Sequence, residues 1–419
     1  MFTEHTQKRI NDSVYCTTLQ VPLDYTDPNS EPLSLQLIKM NATNTPPKGS
    51  VLLNPGGPGA SGIDFIADYG HEYREALGGK FDVVSFDPRW KTGRFISTPF
   101  VARDMLRVVD ALKEDGLLRY WGLSYGATLG QTFAAISQNA RTYYLGYSTF
   151  TTRNADDAVT EILRQCIKVG PKKCALADYA GSDTTPEKLS SALANALQDL
   201  LDEGTAKSLD NYLKIKELLF WDLYKPSLLL RAIKKIAFAL NGDWKGFRKE
   251  FMKTPVKPGV NQNTLLGIAC GDSSFRAGSP EELYAVIKMQ ARESMFADVT
   301  ETQAWWCSHW KFEAAERYEG DFSNITTSFP IMFVNGPLDP VTPLSGAFET
   351  SIAFKGSRVL VQNGFGHGAM NHSSKCTRQA IQAYFEEGTL PKIGDVCEPD
   401  QLAYEYALSL ETRQKHEAR

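Results

Sequence analysis

Residues 118–127, Leu-Arg-Tyr-Trp-Gly-Leu-Ser-Tyr-Gly-Ala, constrain this chain more than any other stretch. A short apolar strand runs into Gly122-Leu123-Ser124-Tyr125-Gly126, and helix-compatible residues follow at once through Ile136. A sharp strand-to-helix turn lifts a serine hydroxyl clear of the backbone, and glycines two residues to either side let the chain pack closely there. The first free N–H groups of the new helix then point at whatever negative charge forms beside the serine. The same pattern also fits a plain glycine-flanked surface turn, so the rest of the chain decides between the two.

Taken in order, residues 1–30 are polar and turn-rich. The alternation at 33–40 predicts a half-buried strand, and 50–54 a buried one that ends in the glycine loop 55–62. A helix is predicted at 63–77, a strand at 81–86, a helix at 101–113 and, beyond the serine turn, a strand at 142–147. This rhythm implies a mostly parallel central sheet with helices on both faces. Between 153 and 326 the rhythm gives way to helical patterns at 158–169, 186–203, 208–223, 226–240 and 280–295, with tryptophans among them. That segment is too apolar for a linker and reads as an inserted helical cap. The sheet resumes at 330–336, followed by a helix at 344–354, a strand at 357–362 and a helix at 377–387; the tail after about 398 is polar and receives no structure. The expected division is core at 1–152, cap at 153–326 and core again at 327–419.

Acyl transfer needs a nucleophile, a base, a carboxylate to orient the base, and N–H donors for the oxyanion. Ser124, Asp339 and His367 each follow a predicted strand directly. In a parallel sheet such strand ends converge on one edge. Their chain order, Ser then Asp then His, is that of α/β-hydrolases. Ser124 is read as nucleophile, His367 as base and then acid, and Asp339 as the group that fixes the imidazole tautomer. His372 is the rival base, placed where the last helix starts. Residues Gly57 to Gly62 also satisfy G-x-G-x-x-G, with Asp87 where a ribose-binding acid would stand. Against a dinucleotide, Pro55 and Pro58 remove N–H groups that a pyrophosphate needs. An oxyanion hole from an N–H near Gly57 and that of Tyr125 is the better use of the loop. No cofactor and no metal are expected.

A net charge of -4 leaves no footprint for nucleic acid or an anionic membrane, and no apolar run reaches the roughly 20 residues that span a bilayer. The polar stretch after Met1 lacks a secretion signal, which favours a cytoplasmic protein over a secreted one that has lost a leader. The seven cysteines are odd in number, so at least one is unpaired; none forms C-x-x-C, and Cys376 and Cys397 bracket a helix and loop that an oxidising compartment would let them bridge.

The chain resembles the α/β-hydrolase-fold serine peptidases of the tripeptidyl aminopeptidase and proline iminopeptidase type. The resemblance is carried by Val-Pro-Leu-Asp-Tyr at 21–25, Asn-Pro-Gly-Gly-Pro-Gly-Ala-Ser-Gly at 54–62, Phe-Asp-Pro-Arg at 86–89 and the serine turn. Near the C-terminus it is carried by Asn-Gly-Pro-Leu-Asp-Pro-Val-Thr-Pro at 335–343, Gly-His-Gly at 366–368 and the region from Cys376 to Cys397. It implies a helical cap over the site and release of short N-terminal peptides or residues from a peptide or other small substrate. An aminopeptidase must hold a free α-ammonium, and Asp272 is a candidate cap carboxylate. Three departures stand out. Trp90 follows Arg89 where the family has glycine, and the connection 91–100 is short, which leaves Cys16 without the partner that relatives supply. The segment 144–148 replaces a usual strand ending in Asp-Gly. Changes at the entrance suit a non-peptide substrate, so an esterase, thioesterase or cyclase is the alternative, and a catalytically silent binding protein a third.

Overall fold

In the computed structural model, which describes residues 14–90, 92–135, 152–252, 261–300, 302–320 and 323–417, alternation and apolar runs become strands where burial rewards them. Pro32–Met40 forms β2, with Leu35, Leu37 and Met40 buried. The short runs Ser50–Asn54 (β3) and Asp82–Phe86 (β4) are buried nearly throughout. Val14–Pro22 forms β1, where the polar sequence suggests turns. Most of its residues are exposed, so it carries no apolar pattern and exists through antiparallel pairing along its whole length with β2, Val14 opposite Met40 to Pro22 opposite Pro32. Tyr120–Gly122 is β5, and the five strands lie in the order β1-β2-β4-β3-β5. β3 runs parallel to both β4 and β5, so the C-terminal ends of β3 and β5 lie side by side.

Helix α1 (Gly62–Ala76) starts straight from the glycine loop, with Ser61 as its N-cap accepting from the Asp64 N–H at 3.0 Å. Helix α2 (Thr98–Leu112) buries Val101, Met105 and Val108 against the sheet. Helix α3 is Tyr125–Ala135. The strand expected at 142–147, and with it the altered segment 144–148, lies outside the described residues.

From Ala155 to Ser308 the described residues form helices and no strand: α4 (Ala155–Val169), α5 (Pro186–Glu203), α6 (Ala206–Asp222), α7 (Leu229–Leu240), α8 (Trp244–Phe251), α9 (Gln262–Asp272), α10 (Pro280–Gln290), α11 (Ala297–Thr300) and α12 (Gln303–Ser308). Four of these, α8, α9, α11 and α12, have no counterpart among the helical stretches expected from the sequence, each being short. A second sheet follows, with β6 (Met332–Asn335), β7 (Arg358–Gln362) and β8 (Val396–Cys397) all parallel. Helices α13 (Leu344–Ala353) and α14 (Lys375–Glu387) fall where predicted. The polar tail folds as well: α15 (Ala403–Glu417) buries Ala403, Tyr404 and Ala407 in the core of the helical segment. A helix contributing so few apolar residues becomes visible only once its partner surface exists.

Three disulfides close loops, Cys166–Cys174, Cys270–Cys307 and Cys376–Cys397, and Cys16 on the exposed edge strand is free. Among the described residues no helix is long and apolar enough to cross a membrane.

Candidate active site

Strand β5 stops at Gly122, and α3 begins after only two intervening residues. Ser124 between them has φ of 55°, a left-handed conformation rare outside glycine and the mark of a tight strand-to-helix turn. Its neighbours hold the turn: the Leu123 N–H donates to Asn54 O at 2.9 Å, and the Tyr120 hydroxyl donates to Gly126 O at 2.6 Å. The glycine loop lies directly against it. At Gly56 (φ 93°) a Cβ would fall 2.9 Å from Ser124 Cβ and 3.2 Å from the Tyr125 nitrogen, so the loop reaches the turn only because that position has no side chain. Gly57 (φ 110°) follows, joined to Pro58 by a cis bond. The loop and the first N–H groups of α3 therefore share one small volume beside the serine.

Asp87 is not turned toward a ligand. It is buried, and its Oδ1 accepts from the Ser61 hydroxyl (2.8 Å) and the Ile63 N–H (3.2 Å). The N-terminus of α1 already faces a carboxylate of its own chain, which disfavours a pyrophosphate there.

Asp339 follows β6 and His367 follows β7, and these parallel neighbours bring the two side chains together. His367 Nδ1 lies 3.0 Å from each Asp339 oxygen. The carboxylate also accepts from the N–H groups of Val341 (2.9 Å), Thr342 (2.8 Å) and Gly368 (3.1 Å) and from the Thr342 hydroxyl (2.9 Å). Burial by itself would raise this carboxyl; the His367 charge and the converging donors outweigh it and hold Asp339 below its ordinary value. An ionised Asp339 takes the Nδ1 proton as a hydrogen bond and leaves Nε2 as the basic nitrogen. Among the described residues no hydrogen bond joins Ser124 to this pair.

Two residues that sequence reasoning passed over frame the imidazole. The His367 N–H donates to Tyr224 O at 2.9 Å, and the Tyr224 ring meets the imidazole edge-on with centroids 5.2 Å apart. Gly366 (φ 98°) makes the approach possible, since a Cβ there would stand 2.6 Å from that same carbonyl. Tyr224 lies in the helical segment, and no sequence spacing could have signalled a contact across so many residues. Thr342, by contrast, sits inside the 335–343 motif.

Asp272 is corrected. It is 1% exposed, and its two oxygens accept the backbone N–H of Thr98 (2.9 Å) and the Thr98 hydroxyl, which in turn contacts the Tyr125 hydroxyl at 2.5 Å. A carboxylate so enclosed ties α9 to α2 and α3 and does not face an incoming ammonium. His372 is no rival base either, because both its ring nitrogens are engaged away from Ser124. Among the described residues no group of three or more His, Cys, Asp or Glu side chains could hold a metal ion.

A serine turn at the end of β5 and an Asp–His pair following the parallel strands β6 and β7, in this chain order, are the organisation of an α/β-hydrolase fold. Residues 293–397 match the family described as TAP-like protein. Over 92% of its length the chain is similar to the tripeptidyl aminopeptidase of Streptomyces lividans, at 21% identity and covering 84% of that protein. Shorter and closer matches are the serine protease Hip1 of Mycobacterium tuberculosis, 39% identical over 83 residues, and its carboxylesterase B, 36% identical over 106. These cover 20% and 25% of this chain and only 16% and 20% of those proteins.

Proposed function

We propose that this protein is a serine hydrolase of the aminopeptidase type, with Ser124 as nucleophile, His367 as general base and acid, and Asp339 as its orienting partner. The observation that carries the reading is the Asp339–His367 pair at 3.0 Å, together with a serine held at positive φ in a strand-to-helix turn. In this reaction the Ser124 oxygen attacks the substrate carbonyl carbon while His367 Nε2 takes the hydroxyl proton. The negative oxygen of the tetrahedral intermediate is met by the N–H of Tyr125 and one near Gly57. Collapse breaks the C–N bond, His367 returns its proton to the leaving amine, and an acyl-Ser124 ester remains. Water, deprotonated by His367, hydrolyses that ester and restores the serine. The helical segment acts as a cap that limits entry to small or terminal substrates, a role supported by Tyr224 touching the imidazole. Full-length similarity to a tripeptidyl aminopeptidase favours a short peptide released from an N-terminus; the partial match to a carboxylesterase keeps an ester of a small metabolite as the second reading. Three disulfides favour an oxidising compartment over the cytoplasmic expectation.

A fluorophosphonate probe should label the protein and fail to label Ser124→Ala, whose kcat should fall by about a millionfold. A panel of tripeptidyl and aminoacyl fluorogenic amides beside simple esters then separates the readings. Turnover of esters alone removes the aminopeptidase; no labelling and no turnover leaves a silent binding protein.

A further inference from the structure

The loop that carries His367 has five consecutive backbone N–H groups, and each has its own acceptor. Gly364 donates to Gln362 O (2.7 Å), Gly366 to Leu338 O (3.3 Å), His367 to Tyr224 O (2.9 Å) and Gly368 to Asp339 Oδ2 (3.1 Å). The remaining one, Phe365, donates at 3.0 Å to the imidazole Nδ1 of His372. Every other acceptor in the set is a carbonyl or a carboxylate held below its ordinary pKa. Only the link to Phe365 runs through an imidazole, an acceptor that a proton can abolish.

The second ring nitrogen fixes the state of the first. His372 Nε2 lies 2.9 Å from the carbonyl oxygen of Gln401, which can only accept, so Nε2 carries the hydrogen. The Phe365 N–H can only donate, so Nδ1 is bare. His372 is therefore neutral and in a single tautomer whenever the loop has this shape. A proton on Nδ1 would set two donors against each other and leave a buried N–H without a partner, beside a Phe365 side chain that is itself 2% exposed.

The surroundings give the imidazolium little compensation. Asp400 is the charged group that draws the ring toward protonation, but its oxygens already accept from the Ser373 hydroxyl (2.7 Å), the Lys375 N–H (2.8 Å) and Arg378 (3.3 Å). β7 contributes the neutral Gln362, whose amide donates to His372 O at 2.6 Å, and α15 the ring of Tyr406 at 6.3 Å. Burial holds the ring below its ordinary value of 6.5, against the smaller upward pull of the Gln401 carbonyl and Asp400.

We propose that His372 is a positioning residue for His367: neutral, it latches the loop through Phe365, and its protonation releases the loop and misplaces the base. This rests on the reading of His367 as the base, but the release itself is measured without activity. Because the ring resists protonation in the folded state, the latch is complete above pH 6.5 and is lost as pH falls through the lower folded value. Activity should then fall in acid as His372 takes up its proton.

The test compares wild type with His372→Asn, whose side-chain oxygen can stand in for Nδ1 and does not titrate. Hydrogen exchange of the 363–368 segment, corrected for intrinsic rates, is followed from about pH 7.5 to about pH 5, with kcat/KM over the same range. Wild type should gain about tenfold in exchange at the acid end while the Asn variant stays flat. The acid limb of log kcat/KM should be steeper in wild type than in the variant, with the two enzymes alike above about pH 7. Equal exchange profiles, or acid limbs of equal slope in both, overturn the proposal. Should the variant not fold, a flat wild-type exchange profile alone overturns it and a rise supports it. An exchange transition in a protein inactive on every substrate supports the latch and discards the hydrolase reading.

Discussion

Asp339, Asp272 and Asp87 are all buried acids on or near the site, and what each one touches separates their roles. Asp87 and Asp272 accept from Ser61, Ile63 and Thr98, groups that gain stability and nothing else from an anion. Asp339 accepts from the His367 imidazole through Nδ1, the contact on which the proposed catalytic role rests. Asp339→Asn should keep the fold yet lower kcat by about 10,000-fold, since the amide stabilises the wrong tautomer. The pH dependence has a definite sign. The folded-state carboxyl titrates below its ordinary 3.8, so its stabilisation is present above that value and is lost as pH falls through the folded pKa. Denaturant titrations should therefore show a wild-type advantage over the Asn variant that is constant above about pH 5 and shrinks below about pH 4. The roles of these three acids were not separable in sequence, because an aspartate before a proline or at a helix end looks the same whichever donor it will meet.

Among the elements, the turn between β1 and β2 and helix α2 depend on one buried cation. Arg89 is 1% exposed and donates to both oxygens of Asp104 (2.6 and 3.1 Å) and to the carbonyls of Pro22, Leu23 and Phe95. The Tyr25 hydroxyl completes the carboxylate at 2.7 Å, and its ring lies 5.0 Å from the guanidinium carbon. Burial drives the Asp104 carboxyl up, to about 6, in spite of Arg89 and Tyr25. Replacing the cation alone strands a desolvated carboxylate and three carbonyls. Arg89→Met should cost about 3–5 kcal/mol in equilibrium unfolding, whereas an exposed change such as Arg107→Met should cost under about 0.5. The Phe-Asp-Pro-Arg motif at 86–89 was visible in sequence, but its arginine points into the fold and away from any ligand.

Across the whole molecule the cysteines offer a check that needs no substrate. All seven are described, six in three disulfides and Cys16 on the exposed edge strand. Native alkylation followed by intact-mass measurement should add one label at Cys16, and reduction should be required before any other site reacts. A protein that takes up more than one label without reductant would contradict this pairing. The sequence by itself determined the strand-to-helix serine turn, the β–α rhythm, the helical stretch between the two core parts and the order Ser124, Asp339, His367. Each of those is written in local periodicity or in a residue placed at a strand end. Only the tertiary structure decided that Asp272 is enclosed, that β1 and α15 exist, that Tyr224 reaches the imidazole and that His372 supports the loop. Those depend on contacts between residues far apart in the chain, and such contacts leave no mark on the short-range pattern of either partner.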